Sequence, residues 1–466
     1  MALQVVARLI PGAAAVVGAL LLILWLGSAP DAALTERIPM ADATIEQESA
    51  VVVRGTLVAG GGMPAELPGE WPCFRGPNRD GICTDPTPLA KSWPESGPPV
   101  LWSLELGEGY AGAAVRAGRV YVLDYDQVRR ADVLRCLSLK DGREIWSYSY
   151  GVEVKRNHGM SRTMPALGDR HVVALGPKCH VTCLDAESGE HKWALDLVRS
   201  FGAKVPPWYA GQCPLIDGQK VILAPGGESA LLMAVDIETG SVLWKTPNPN
   251  GWTMTHSSIL PLEFNGRRMY VYCASGGVVG VSADDGRLLW QTTDWRISIA
   301  NVPTPVDAGD GRIFLSGGYN AGCMMLRLEE NDGAIAVQTL FRLKPREFGS
   351  DQQTPVFRDG VLYGVIPGGE LVCLGLDGKR RWTSGSAQRF GLGPYMFAGG
   401  MMLLMDDSGV LTLADVTPDG LKTLASAKVL HGHESWGPIT IAGGILIVRD
   451  LTSMVCLDLR ENQHGK

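Results

Sequence analysis

From Val100 onward the chain alternates apolar runs of strand length with tight turn signals. No segment shows the long three-to-four-residue periodicity of an amphipathic helix. One stretch displays the unit in full. Asn265-Gly266 separates two apolar runs, Gly276-Gly277 ends the second, and Asp285-Gly286 joins a third run to the one bearing Trp290. Asn-Gly and Asp-Gly favour tight hairpins because their central residues tolerate positive φ. Runs such as Met269 to Cys273 have the aromatic and β-branched content of strands. Four strands per unit, joined by hairpins, are predicted.

The unit recurs. A small residue, a hydrophobic residue and often Asp are followed by a Gly turn and a Trp. The copies run from Cys136 to Trp146, Cys183 to Trp193, Ala234 to Trp244, Gly280 to Trp290 and Cys373 to Trp382. Two worn copies run from Leu328 through Asp332-Gly333 to Val337, and from Leu413 through Asp419-Gly420 to Leu424. Trp102, Trp146, Trp193, Trp244 and Trp290 are spaced by 44, 47, 51 and 46 residues, and Trp382 follows after 92, two periods. A period of this size is that of a four-stranded propeller blade. The chain ends supply two half-units. Val100 to Leu104 has the fourth-strand pattern with no third strand before it, and Met454 to Asp458 has the third-strand pattern with no fourth after it. Pairing them closes the ring and removes two exposed strand edges. The prediction is an all-β, eight-bladed β-propeller of four-stranded antiparallel blades over residues 100–460. Its repeat tryptophans are the structural residues of the seams between blades. Burying one indole removes roughly 200 Å² from water, about 5 kcal/mol by area before entropy is charged.

Composition alters this picture at few points. The 58 Gly and 29 Pro among 466 residues are interleaved with apolar runs and read as turns, not disorder. A formal net charge of −7 and a pI near 5.7 argue against a nucleic-acid partner. Arg8 precedes an uncharged apolar stretch, Leu9 to Leu26, and Gly27-Ser28-Ala29 follows. Residues 1–29 therefore read as a signal peptide or an uncleaved signal anchor, with the body exported to the periplasm or cell envelope. Residues 30–70, with Gly60-Gly61-Gly62 and several prolines, read as a flexible tether that could hold one unpartnered strand at Val51-Val52-Val53. Residues 71–99 read as a segment packing on the propeller, and 461–466 as a tail.

These residues resemble the quinoprotein-type, PQQ-like propeller repeat over about residues 100–460. The opening Trp71 to Gly81 (WPCFRGPNRDG) resembles that of uncharacterised envelope proteins bearing the same repeat. The resemblance implies an eight-bladed fold. It embraces both pyrroloquinoline quinone (PQQ) dehydrogenases and a non-catalytic lipoprotein of outer-membrane barrel assembly, so the fold does not decide the function. The dehydrogenases carry adjacent cysteines, a calcium set and a catalytic Asp. No two cysteines here are adjacent, no calcium set maps onto the chain, and the haem motif C-x-x-C-H is missing.

Other chemistry is thin. Cys136, Cys183, Cys373 and Cys456 share a slot that Ala234 and Gly280 also fill, which marks packed thiols. Cys73 and Cys83 bracket a short loop, and an oxidising compartment permits a disulfide between them. Cys179, His180 and Cys183 cannot converge on a metal from one extended strand, and Asp124, Asp126 and Asp132 match no calcium loop. There is no G-x-S-x-G or H-E-x-x-H. The richest positions lie in the connection before each innermost strand, which should line one mouth of the channel: Arg162, Trp208, Tyr209, Trp252, His256, Asn301, Gln352, Arg389 and Trp436. Exposed aromatics and Arg anchor binding sites, and aromatics can equally plug a channel. The expectation is a non-enzymatic, monomeric envelope scaffold that binds a protein or peptide partner, is membrane-attached through its N-terminal segment and needs no cofactor. The alternatives are a PQQ- and calcium-dependent oxidoreductase and a sensor of small ligands or carbohydrate.

Overall fold

The computed structural model describes residues 16–24, 27 and 54–461. The chain divides into two units, Met1–Val51 and Val52–Lys466. In the first, residues 16–24 are helical, and no helix among the described residues is long and apolar enough to cross a membrane. Most of the predicted signal segment, the strand at residues 51–53 and the tail at 462–466 lie outside the described residues.

The second unit is built of eight sheets, each with four antiparallel blade strands, which in blades 1 to 7 follow sequence order from the channel outward. Blade 1 holds Ala114–Arg116, Arg119–Asp126, Ala131–Ser138 and Glu144–Gly151, and blades 2 to 7 repeat the pattern. Blade 8 takes Thr440–Ala442, Ile445–Arg449 and Ser453–Asp458 from the C-terminal side and Val100–Glu105 from the N-terminal side, with Trp102 opposite Cys456. The two incomplete halves therefore meet, and the ring is closed by the predicted pair.

The same register appears in the intact copies. Trp146 faces Cys136, Trp193 faces Cys183, Trp244 faces Ala234, Trp290 faces Gly280 and Trp382 faces Cys373, with a bulge immediately after each small residue. The small slot exists because an indole crosses it. At Gly280 an added Cβ would lie 2.1 Å from Trp290 Nε1. Four of the six indoles then donate into the next blade, whereas Trp290 Nε1 donates to Met269 Sδ of its own blade. Trp193 Nε1 donates to the Ile237 carbonyl at 2.7 Å, and Trp102, Trp146 and Trp382 donate in the same way to Leu139, Glu187 and Thr417. Beneath Trp193 lies Gly240 at φ +70°, where a Cβ would come within 2.7 Å of the ring. Gly142, Gly189, Gly240 and Gly286 thus belong to the seam with the preceding blade's Trp.

The worn copies depart from the predicted alignment. In blade 5 the strands Gly322–Asn331 and Ala334–Leu343 form a longer hairpin, so the residue facing the bulge site Met325 is Phe341, not Val337. In blade 7 Leu413 faces Ala425, one residue beyond Leu424. Added hairpin length moves the turn outward while the bulge keeps its place, so counting from the turn misplaces the seam residue.

The flexible-tether reading does not hold for residues 54–70. Thr56–Ala59 adds a fifth strand to the outer edge of blade 1. Gly60 and Gly62 donate to the carbonyls of Ile145 and Glu144, and Ala65 to that of Gly118. The glycines serve close approach, not looseness: a Cβ at Gly60 would lie 2.0 Å from the Glu144 oxygen. The disulfide reading also fails. Cys73 and Cys83 are separate thiols, because Cys73 turns inward to donate to the Gly76 carbonyl while Cys83 lies in a strand on blade 7.

Candidate functional site: a blind cavity at the channel mouth

The segment after the edge strand crosses one end of the channel. Trp71 exchanges backbone hydrogen bonds with Val115 of blade 1, and the Pro72 carbonyl accepts from Leu167 of blade 2. Arg79 Nη2 donates to the Ile216 carbonyl of blade 3 at 2.8 Å. Arg75 donates from Nη1 to Thr354 at 2.8 Å and from Nη2 to Pro355 at 3.0 Å, where the chain enters blade 6. Its Nε and Nη2 also bind the carbonyls of Arg79 and Asp80, closing the turn of its own segment. Ile82–Cys83 then runs parallel to Phe397 and Ala398 of blade 7, and Asp85 accepts from Gly443 of blade 8. Six of the eight innermost walls hold this one segment. Innermost strands would otherwise present unpaired backbone groups to the channel, and the segment satisfies part of that demand.

Facing the opposite mouth, a cavity of about 340 Å³ has Phe74 of this segment among its lining residues. Its other walls come from the connections entering blades 1 to 6 and 8 (Tyr110, Arg162, Trp208, His256, Val302, Gln352 and Trp436 among them). Of the nine predicted mouth residues, Arg162, Trp208, His256, Gln352 and Trp436 line it. Tyr209, Trp252, Asn301 and Arg389 do not. The Tyr209 hydroxyl is tied to the Lys155 carbonyl at 2.6 Å. Trp252 packs inside the core between blades 3 and 4. Asn301 is buried, its carbonyl accepting from the His256 amide. Arg389 pairs with Glu370 through the backbone in the connection to blade 7, which contributes nothing to the cavity. Tyr110 was legible from the repeat, since it occupies the same connection in the first copy. Tyr319 was not: it comes from a hairpin tip within blade 5, where Tyr319 and Asn320 both have positive φ, 54° and 66°.

One wall is an organised cluster. The Tyr110 and Trp436 rings stack at 5.4 Å and 26°. The Tyr110 hydroxyl donates to Glu434, and Trp436 Nε1 donates to Asp407 at 2.8 Å. The Arg162 guanidinium lies 5.1 Å over the Tyr110 ring. Burial and the Glu434 charge push the Tyr110 hydroxyl's pKa well up, so it remains a donor. Burial and the Arg162 charge push His256 down to about 4, so the imidazole facing the cavity is neutral at ordinary pH.

The donor set does not suit a quinone held with calcium. That ion takes six to eight oxygen ligands and draws on carboxylates, and no Asp or Glu lines the cavity. Among the described residues no group of three or more His, Cys, Asp or Glu is placed to hold a metal ion.

Residues 129–365 match the family model described as outer membrane protein assembly factor BamB. The chain is 22% identical over 305 residues to the outer membrane protein assembly factor BamB of Moranella endobia, covering 62% of this chain and 73% of that one. It is 26% identical over 175 residues to the quinoprotein alcohol dehydrogenase PedH of Pseudomonas putida, covering 34% of this chain and 27% of that one. The crystal structure of BamB from Moraxella catarrhalis matches with a TM-score of 0.54 at 16% identity, covering 78% of this chain and all of that one, a likeness of fold. The family model spans half of the chain and every repeat within that span folds as a blade, so the chain belongs to the PQQ-like propeller family to which BamB gives its description.

Proposed function

We propose that this protein is a non-enzymatic scaffold of the cell envelope that presents its blind mouth to a protein or peptide partner in outer-membrane or envelope assembly. The observation that carries the reading is the mouth itself. Seven connections converge on one cavity, five of them with aromatic or Arg side chains, and the chain's own N-terminal segment closes it from below. Anchors of this composition favour partner binding, and rigid strands position them. The BamB relatives and the family description support the envelope setting and the scaffold role, and an apolar segment at residues 9–26 supports export.

A photo-crosslinking amino acid placed at Tyr319, which is 49% exposed at the rim, tests this in intact cells. Crosslinks to an envelope protein or peptide from position 319, and not from Val242 on the outer strand of blade 3, are expected. Saturable quinone binding with dye reduction by an alcohol would overturn the scaffold reading.

A further inference from the structure

We infer that the mouth cavity is a receptor for a single carboxylate carried on a flat apolar group and seated end-on; this rests on reading the mouth as a binding face. Arg162 is the anion-binding group. Its Nη2 donates to the carbonyls of Asn157 and His158, each at 2.9 Å, and of Gly159 at 3.3 Å. Three backbone acceptors and the Tyr110 ring therefore fix the guanidinium plane. Its Nε is buried without a partner, and its Nη1, on a side chain that lines the cavity, makes no hydrogen bond to any described residue. No carboxylate oxygen lies within 4.0 Å of it among the described residues, and the nearby Glu434 spends an oxygen on the Tyr110 hydroxyl. A half-buried guanidinium with an unspent donor and no carboxylate in direct contact favours an anion that completes a charge-assisted hydrogen bond.

The stacked Tyr110 and Trp436 rings supply the flat wall beside that charge. Tyr319 adds an exposed ring at the rim, held in a left-handed conformation that bulky residues rarely adopt. With Asn320 it forms the two-residue hairpin turn closed by the Ala321 amide on the Gly318 carbonyl, and that turn fixes the position of the ring. Arg162 is the one Arg or Lys among the lining residues, and the His256 imidazole is held neutral by burial, so a single negative charge matches the site. Phe74 lies beneath, so an extended chain cannot thread the ring, and only a chain end, a side chain or a small molecule can fill the space.

Two sources share this chemistry: the C-terminus of a peptide ending in an aromatic residue, and a free aromatic monocarboxylate. Calorimetry on the full chain distinguishes them with N-acetylphenylalanine and an octapeptide ending in Phe, each as free acid and as amide. The acids should bind and the amides should bind about tenfold or more weakly, since the difference is one charge-assisted hydrogen bond. Arg162→Gln should reduce the acid to the amide level, whereas Arg389→Gln, outside the cavity, should change nothing. Tighter binding of the octapeptide acid identifies a chain terminus as the ligand, and equal binding of the two acids a small molecule. Equal binding of acid and amide overturns the proposal, as does an acid preference retained by an Arg162→Gln protein with the native thermal midpoint. If that variant does not fold, the acid and amide comparison on the unaltered chain decides alone. Crosslinking from position 319 without any acid preference sinks the carboxylate receptor and leaves the scaffold standing.

Discussion

Arg75→Met should open the floor of the channel without unfolding the ring. Arg75 makes four hydrogen bonds, but two of them bind carbonyls of its own segment and would survive undocking as part of the local turn. The two that hold the segment to the wall reach Thr354 and Pro355. Burial lowers the Arg75 pKa only to about 10, so the side chain is charged at neutral pH. Hydrogen bonds from a charged donor contribute about 1.5–3 kcal/mol each. Methionine keeps most of the apolar stem, so at the lower figure the loss is about 3 kcal/mol. That raises the open fraction by about a hundredfold, at 1.36 kcal/mol per factor of ten. Cys73 and Cys213 are natural reporters, since both are 5% exposed and flank the same crevice beneath Phe74. Their reaction with an aromatic disulfide reagent should accelerate by about two orders of magnitude while the far-ultraviolet circular dichroism is unchanged. Cys183, buried inside blade 2, is the control and should keep its rate. Acceleration of less than about threefold at Cys73 and Cys213, or equal acceleration at Cys183, would refute the view that Arg75 pins a separable floor.

The remaining expectations concern the ring. Trp193→Ala, at a buried seam, should cost about 3–5 kcal/mol in urea unfolding, and Trp382→Ala, at a half-exposed one, clearly less; the reverse order would contradict the seam account. Asp132 is buried beside Tyr150, whose hydroxyl donates to it at 2.6 Å, and burial raises its pKa to about 7. The folded state then holds a proton that the unfolded state releases above about 4, so stability should fall as pH rises from about 4 to 7. Asp132→Asn should flatten that slope in thermal melts across the interval, and an unchanged slope would assign it to other groups. Gly60→Val should release the edge strand alone, seen as new proteolytic cleavage at residues 54–62 with an intact core, because its Cβ would sit 2.0 Å from the Glu144 oxygen. All ten cysteines should alkylate in denaturant without reductant, and a need for reduction at Cys73 and Cys83 would restore the disulfide.

Much of the architecture was legible because it is local and repeated. Strand length, hairpin chemistry and the spacing from Trp102 to Trp382 each reflect neighbours a few residues apart, and a repeat multiplies a weak signal by its copies. Closure followed from two half-units that complete one blade. Where a copy lost its Trp, the alignment slipped, since the bulge that sets the seam residue at Phe341 or Ala425 leaves no mark in composition. The glycine run at 60–62 illustrates the same limit: tight packing against a carbonyl and free rotation call for the same residue, and only the partner strand distinguishes them.

The chain by itself determined the ring, its blade count and the connections that meet at one mouth. Tertiary structure alone decided which of those side chains turn inward, that Tyr319 joins them from a hairpin tip, and that WPCFRGP closes the far end. The reason is physical. Strand direction follows from an alternation of two residues, whereas the direction of a side chain in an irregular connection depends on turn dihedrals and on packing partners hundreds of residues away.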